Sequence, residues 1–217
     1  MSELPLFPLN TVLFPGSRLR LKIFEPHYHH IIRYCVNTGE PLGGVLFKQG
    51  LDSRGLLPEP YRIGCAGEIT EVQRLRMGQM LITVVGQERF RIHSLDYSSE
   101  PYLLGNIELF PLVHSSPDSI YKHGESLLRW VKDYQYWAGS PVLKNLGRDY
   151  LPKNPVTLAY QVAAAINIPT RVKQDLLSIR HVTDFLEVLT QLCRREVTLL
   201  KIQHHEPLGQ PSIFSIN

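Results

Sequence analysis

Pro111-Leu112-Val113-His114-Ser115-Ser116-Pro117 separates a stretch that alternates with the period of strands from one that repeats with the period of helices. Before it, short apolar runs are punctuated by Gly and Pro; after it, apolar residues recur three and four apart. The expected fold class is therefore α+β. A β-rich subdomain is expected over residues 1–112, an α-helical bundle over 117–205, and a mobile tail over 206–217.

Moving from this connector toward the N-terminus, Leu103 to Phe110 is expected to close the sheet, and Glu88-Arg89-Phe90-Arg91-Ile92-His93 alternates with Phe90 and Ile92 inward. Ile69 to Leu75 and Met80 to Val85 form a hairpin whose turn, Arg76-Met77-Gly78-Gln79, has the glycine that a positive φ requires. Gly43 to Phe47 is a buried strand, Lys48 to Pro60 a surface loop, and Tyr61 to Gly64 re-enters the sheet. Leu19-Arg20-Leu21-Lys22-Ile23 alternates strictly, with the two cations outward. A helix follows Pro26, because Tyr28, Ile31, Ile32 and Cys35 share one face and Gly39 stops it. The proline-broken pieces Leu6–Leu9 and Val12–Gly16 cannot sit in a central ladder, so they are edge or turn-bounded.

On the other side, Ser116-Pro117-Asp118 opens a helix that carries Leu127, Trp130, Val131, Tyr134 and Trp137 inward. Asn154-Pro155 caps a second over 156–167, a short third runs through Val172, Leu176 and Leu177, and the last spans about Thr183 to Gln203.

A hydrophobic fraction of 43% with 20% charged residues fits a chain that buries a real core. Its net charge of +3 excludes a strongly basic nucleic-acid arm. No apolar run reaches the roughly 18 residues a membrane span needs, and Met1-Ser2-Glu3-Leu4-Pro5 lacks a secretory pattern, so a soluble, cytoplasmic protein is expected. Three distant cysteines, Cys35, Cys65 and Cys193, give no local disulfide or metal framework and are expected to be buried thiols.

The residues that could carry chemistry each have a structural alternative. Phosphate-loop, dinucleotide and Gly-x-Ser-x-Gly motifs are absent from the sequence. His27 and His30 are three apart beside Glu25, a possible start for a metal-dependent hydrolase. A zinc needs three or four ligands, however, and no further one is evident. Cations at Arg18, Arg20, Lys22, Arg74, Arg76, Arg89 and Arg91 fall on expected outer strand faces. They could touch RNA phosphates, but acids at Glu68, Glu71 and Glu88 interleave with them, as on ordinary solvated strands. Leu56-Leu57 in the long loop and Tyr136, off the apolar stripe of its helix, are apolar groups without an obvious core role.

Several motifs, in order, resemble the amino-terminal substrate-binding domain of Lon proteases. Leu4-Pro5-Leu6-Phe7-Pro8-Leu9-Asn10-Thr11-Val12-Leu13-Phe14-Pro15-Gly16 leads into Leu19-Arg20-Leu21-Lys22-Ile23-Phe24-Glu25-Pro26-His27-Tyr28, and Gly44 to Lys48, Glu68 to Val72, Gly86 to Ile92 and Tyr102 to Gly105 follow. Asn154 to Ala159, Ile168-Pro169, Lys173 to Leu177 and Arg194-Arg195-Glu196 extend the likeness to about residue 203. Leu42-Gly43-Gly44, where the family often has Phe-Gly, and Ser178-Ile179-Arg180-His181, in place of an acidic helix entry, depart from the pattern. The resemblance implies a PUA-like barrel joined to a helical bundle, with no cofactor, no metal and no catalytic residue, since the ATPase and Ser/Lys peptidase of a full Lon protease are not expected here. It implies partners that are unfolded or client proteins and peptides, and a separate protease with which the domain would cooperate in protein quality control. Leu56, Leu57, Tyr61, Tyr136 and Trp137 are the candidate partner-binding residues. An RNA-binding module on the arginine stripe is the alternative.

Overall fold

The computed structural model describes residues 2–26, 28–48, 59–138 and 154–205. Six strands come first: β1 (Ser2–Leu9), β2 (Arg18–Ile23), β3 (Leu42–Leu46), β4 (Ile63–Arg74), β5 (Met80–Asp96) and β6 (Leu104–Leu109), with helix α1 (Tyr28–Thr38) between β2 and β3. Four helices follow among the described residues: α2 (Pro117–Ala138), α3 (Pro155–Ala165), α4 (Thr170–Ser178) and α5 (Val182–His205). The architecture is α+β in the expected order. The expected tail over 206–217 lies outside the described residues.

The strand order is β2-β5-β4-β3-β1-β6, and β6 also pairs with β5, so five strands close into a ring. β5 makes this possible by changing partners along its length. Met80–Val85 pairs with β2 and Phe90–Asp96 with β6. β1 divides in the same way: Ser2–Pro5 pairs antiparallel with β6, and Leu6–Leu9 parallel with β3. Each half of β1 needs a ladder on one side only, which is why Pro5 and Pro8, unable to donate, are tolerated there.

Local expectations fare well in β2 and α1. Arg18, Arg20 and Lys22 are exposed, while Leu19, Leu21 and Ile23 turn inward. Ile31, Ile32 and Cys35 are buried, and Gly39 ends the helix at φ 74°. The β4–β5 hairpin turns through Met77 and Gly78, both left-handed, at φ 58° and 72°. Asn154 Oδ1 caps α3 by accepting from the amides of Val156 (2.9 Å) and Thr157 (3.2 Å).

Two points differ from the sequence reading. The alternating pieces Met80–Val85 and Glu88–His93, read separately, form one strand: β5 runs unbroken for 17 residues. Gly86, between them, is a docking point. Its amide donates to the Ser17 carbonyl (2.9 Å), its carbonyl accepts from Gly16 (2.8 Å), and a Cβ there would lie 2.2 Å from the Phe14 oxygen. The second point is a correction: Arg89, expected in the outward stripe, is 2% exposed. Alternation places Phe90 inside the barrel and Arg89 on its outer wall, as read, but the end of α4 lies over that wall. Arg89 Nη1 donates to the carbonyls of Leu177 (2.7 Å) and Ile179 (2.6 Å), and its guanidinium carbon is 5.1 Å from the centre of the Phe110 ring.

The largest core cluster explains the covering. It joins Leu127, Val131, Leu158, Phe185 and Leu189 of the helices to Phe14, Ile63 and Phe110 of the β-rich part. A second cluster lies between α1 and the barrel, around Ile31, Ile32, Phe7 and Ile82, and a third fills the barrel around Leu6, Phe90 and Ile107. All three cysteines are buried free thiols; Cys35 is pushed up to about 11 and Cys65 and Cys193 to about 12, chiefly by burial. No helix among the described residues is long and apolar enough to cross a membrane.

Candidate functional site

On the flank of the barrel formed by β2, α1 and the β5–β6 connection lies a groove of about 910 Å³. One wall begins where β2 ends. Ile23 is buried, so Phe24, the next residue, must point the opposite way, and it is 59% exposed. Pro26 then starts the helix: the amides of Tyr28 and His29 donate to Glu25 and Pro26 carbonyls at 3.1 and 3.0 Å. This turn sets Phe24 and Tyr28 at the groove, with Lys22 Nζ 4.9 Å above the Phe24 ring and Tyr28 4.8 Å from Phe7.

The facing wall is the β5–β6 connection, and Asp96 organises it. Its carboxylate accepts from the hydroxyls of Ser99 and Ser98 and from both their amides, which holds the group well below the usual carboxylate range. The pinned turn presents Tyr97, 53% exposed, and leads to Tyr102, while the Leu6 amide donates to the Leu103 carbonyl (2.8 Å) and closes that end. The floor is Leu6–Leu9 of β1. The lining is mainly apolar and aromatic; Lys22, Glu25 and Glu100 are its charged groups. Such a surface can take apolar side chains out of water. It also runs along β2, whose outer edge makes no strand pairing among the described residues.

The residues singled out from sequence lie elsewhere. Leu56 and Leu57 are outside the described residues. Tyr61 is half-buried at the end of β3, its amide donating to the Leu46 carbonyl (2.8 Å). Tyr136, 69% exposed, meets Trp137 edge to face at 5.3 Å, and Trp137 packs on His204 (5.7 Å) beneath the C-terminal half of α5. The structure thus unites Tyr136 with Trp137, and neither they nor Tyr61 line the groove. Of the metal candidates, His30 is exposed, Glu25 lines the groove and His27 lies outside the described residues. Among the described residues no three His, Cys, Asp or Glu side chains cluster as a metal site would. Phe24 and Tyr97 were missed. For Phe24 the sequence did hold a signal: an aromatic out of phase with Leu19, Leu21 and Ile23 has to face outward.

The class of protein is thus an α+β domain in which a closed β-ring is braced by a helical bundle and carries an apolar, aromatic groove on its flank. The chain belongs to the family of the ATP-dependent protease La (LON) substrate-binding domain, whose sequence profile matches residues 3–195. It is 25% identical over 209 residues to the Lon protease of Buchnera aphidicola subsp. Schizaphis graminum, covering 93% of this chain and 26% of that protein. It is 29% identical to Lon protease 2 of Sorangium cellulosum, covering 93% and 26%. The chain therefore spans about a quarter of the length of these relatives. Among solved structures, the Lon N-terminal domain protein from Xanthomonas campestris superposes with a TM-score of 0.63 at 21% identity, covering 87% of this chain and 97% of that one. The N-terminal domain of the Mycobacterium avium complex Lon protease gives 0.62 at 16% identity, covering 89% and 98%. These likenesses share the fold.

Proposed function

We propose that this protein binds unfolded or extended segments of client proteins in the groove between Phe24 and Tyr97 and catalyses no reaction itself. The observation that carries the proposal is that two half-exposed aromatics, Phe24 and Tyr97, line one groove together with apolar residues of β1, in a chain of the substrate-binding family. Burying one such ring contributes about 1.5–3 kcal/mol, enough for weak capture of many sequences and too little for strong selectivity. The site's chemistry suits binding: its lining is mainly apolar and aromatic, with Lys22, Glu25 and Glu100 as its charged groups. A separate protease acting on the captured client, and a cytoplasmic setting, complete the proposal. The arginine stripe is a weaker platform for RNA than its sequence suggested, since Arg89 is buried and Arg91 pairs with Glu108 at 3.3 Å.

The test is fluorescence anisotropy with labelled, reduced and carboxymethylated α-lactalbumin. Phe24→Asp with Tyr97→Asp is expected to weaken binding at least about tenfold, whereas Tyr136→Ser leaves it unchanged. Binding that survives the double variant but is lost with Tyr136→Ser would move the site to the α2–α5 end, and no binding at all by the unaltered protein would end the proposal.

A further inference from the structure

β2 is the one described strand with a single partner: it pairs with β5 alone, from Arg18 opposite Val85 to Ile23 opposite Met80. Its exposed face carries Arg18, Arg20 and Lys22 at every second position. The residues opposite these cations on β5 are Val85, Thr83 and Leu81, so no carboxylate answers them across the ladder. The acids one strand further are engaged: Glu71 accepts from the Thr83 hydroxyl (2.9 Å) and Glu68 from the Gln87 amide (2.9 Å). Lys22 lies over Phe24, and no ion pair joins Arg18 or Arg20 to an acid among the described residues.

An open edge lined with like charges repels most incoming strands, which is how natural sheets keep such edges from aggregating. The same row admits a strand whose acids fall opposite the cations, because directly opposed side chains of opposite charge attract across a ladder. Resting on the groove proposal, we infer the class of segment that it takes: an extended stretch of about six residues, alternating apolar and acidic, added as a strand to the free edge of β2. Its acids meet Arg18, Arg20 and Lys22, and its apolar residues fall on the face of Leu19, Leu21 and Ile23, toward the groove. β1, across the groove, is the poorer template, since Pro8 has no amide hydrogen to give.

Three labelled octapeptides test this by anisotropy at low salt: alternating Val and Glu, alternating Val and Lys, and the Val–Glu peptide N-methylated at every second amide. The Val–Glu peptide is expected to bind roughly tenfold more tightly than either of the others, and the triple variant Arg18→Glu, Arg20→Glu, Lys22→Glu to reverse the charge preference while keeping its melting temperature. Equal binding of Val–Glu and Val–Lys, or undiminished binding of the N-methylated peptide, overturns the inference. So does an oligouridylate that binds the unaltered protein and is lost in the triple variant, since the cations would then serve phosphate. Under any of these results, the carboxymethylated α-lactalbumin assay separates the two failures: binding still sensitive to Phe24 leaves the groove standing, and insensitivity removes both.

Discussion

Arg89→Met is expected to lower the stability of the whole chain by about 1–3 kcal/mol, a net figure reached from opposing effects. Arg89 Nη1 makes two short hydrogen bonds, to Leu177 and Ile179 at the C-terminal end of α4, where carbonyls lack helical partners. Hydrogen bonds from a charged group contribute about 1.5–3 kcal/mol each, and losing the donor strands both carbonyls in a buried seam. Against this stands the cost of burying a cation. Nε and Nη2 have no partner among the described residues, and burial lowers the guanidinium pKa. Replacing buried charges by apolar groups of similar volume has recovered roughly 1–4 kcal/mol elsewhere. The hydrogen bonds win here, because Met cannot satisfy two carbonyls whose own chain is fixed by hydrogen bonds from the Val113 amide to the Arg180 carbonyl (2.8 Å) and from the Val182 amide to the Val113 carbonyl (3.0 Å). Calorimetry is expected to show a melting temperature lower by about 2–12 °C for a chain of this size. Faster amide exchange at Val113 and Val182 should accompany it, with the binding groove unaffected. A melting temperature equal to or above that of the unaltered protein would show that desolvation dominates and refute the reasoning.

Two further outcomes follow from packing and titration. Gly124 lies buried within α2, and a Cβ there would meet the Pro155 ring at 2.6 and 2.7 Å; Gly124→Ala should therefore destabilise, the crowding of roughly 1–3 kcal/mol outweighing the helical gain of about 1 kcal/mol, and a raised melting temperature would contradict this. The thiols ionise near 9.0 when unfolded but only at about 11 to 12 when folded, so stability is level below pH 9 and falls as pH rises toward 11, by about 1.4 kcal/mol per thiol and pH unit; level melting temperatures between pH 9 and 10.5 would count against it.

What the sequence disclosed follows from how far each signal reaches. The alternation of Leu19 to Ile23 and the apolar face of Tyr28 to Cys35 are local, and the structure reproduces both. The β4–β5 turn was legible because Gly78 sits where a positive φ is needed. Arg89 shows the limit. Periodicity assigned it to the outer face of β5, correctly, but whether an outer face meets water depends on what covers it, and Leu177 and Ile179 stand 88 and 90 residues further on. Gly86 shows the same limit: a glycine within a strand pattern fits a break as well as a close approach, and the approaching oxygen belongs to Phe14. The groove was the least legible feature. Its lining comes from β1, the β2–α1 turn and the β5–β6 turn, and nothing local to Tyr97 or Tyr102 announces that they share a groove with Phe24.

The length of β5 connects the fold to the proposed use of the surface. Were β5 only as long as its Met80–Val85 half, β2 and β6 would compete for one edge, and closing the ring would displace β2. At 17 residues, Phe90–Asp96 takes β6 and completes the ring while Met80–Val85 holds β2 beside it. The helical bundle covers the outer wall at Arg89, again on the ring-closing half. Closure and bracing are thus both achieved without using the far edge of β2. Every other described strand pairs with at least two others, although each half of β1 and the stretch of β4 beyond Gly67 are laddered on one side only; the edge of β2 left without a pairing among the described residues lies beside Phe24 and the groove. An edge left open along a whole strand carries an aggregation hazard, which the cations of β2 restrain. On this argument the row Arg18, Arg20, Lys22 has two consequences from one arrangement: it keeps a second copy of the chain off the edge, since β2 against β2 would oppose cation to cation, and it leaves the edge to acidic strands.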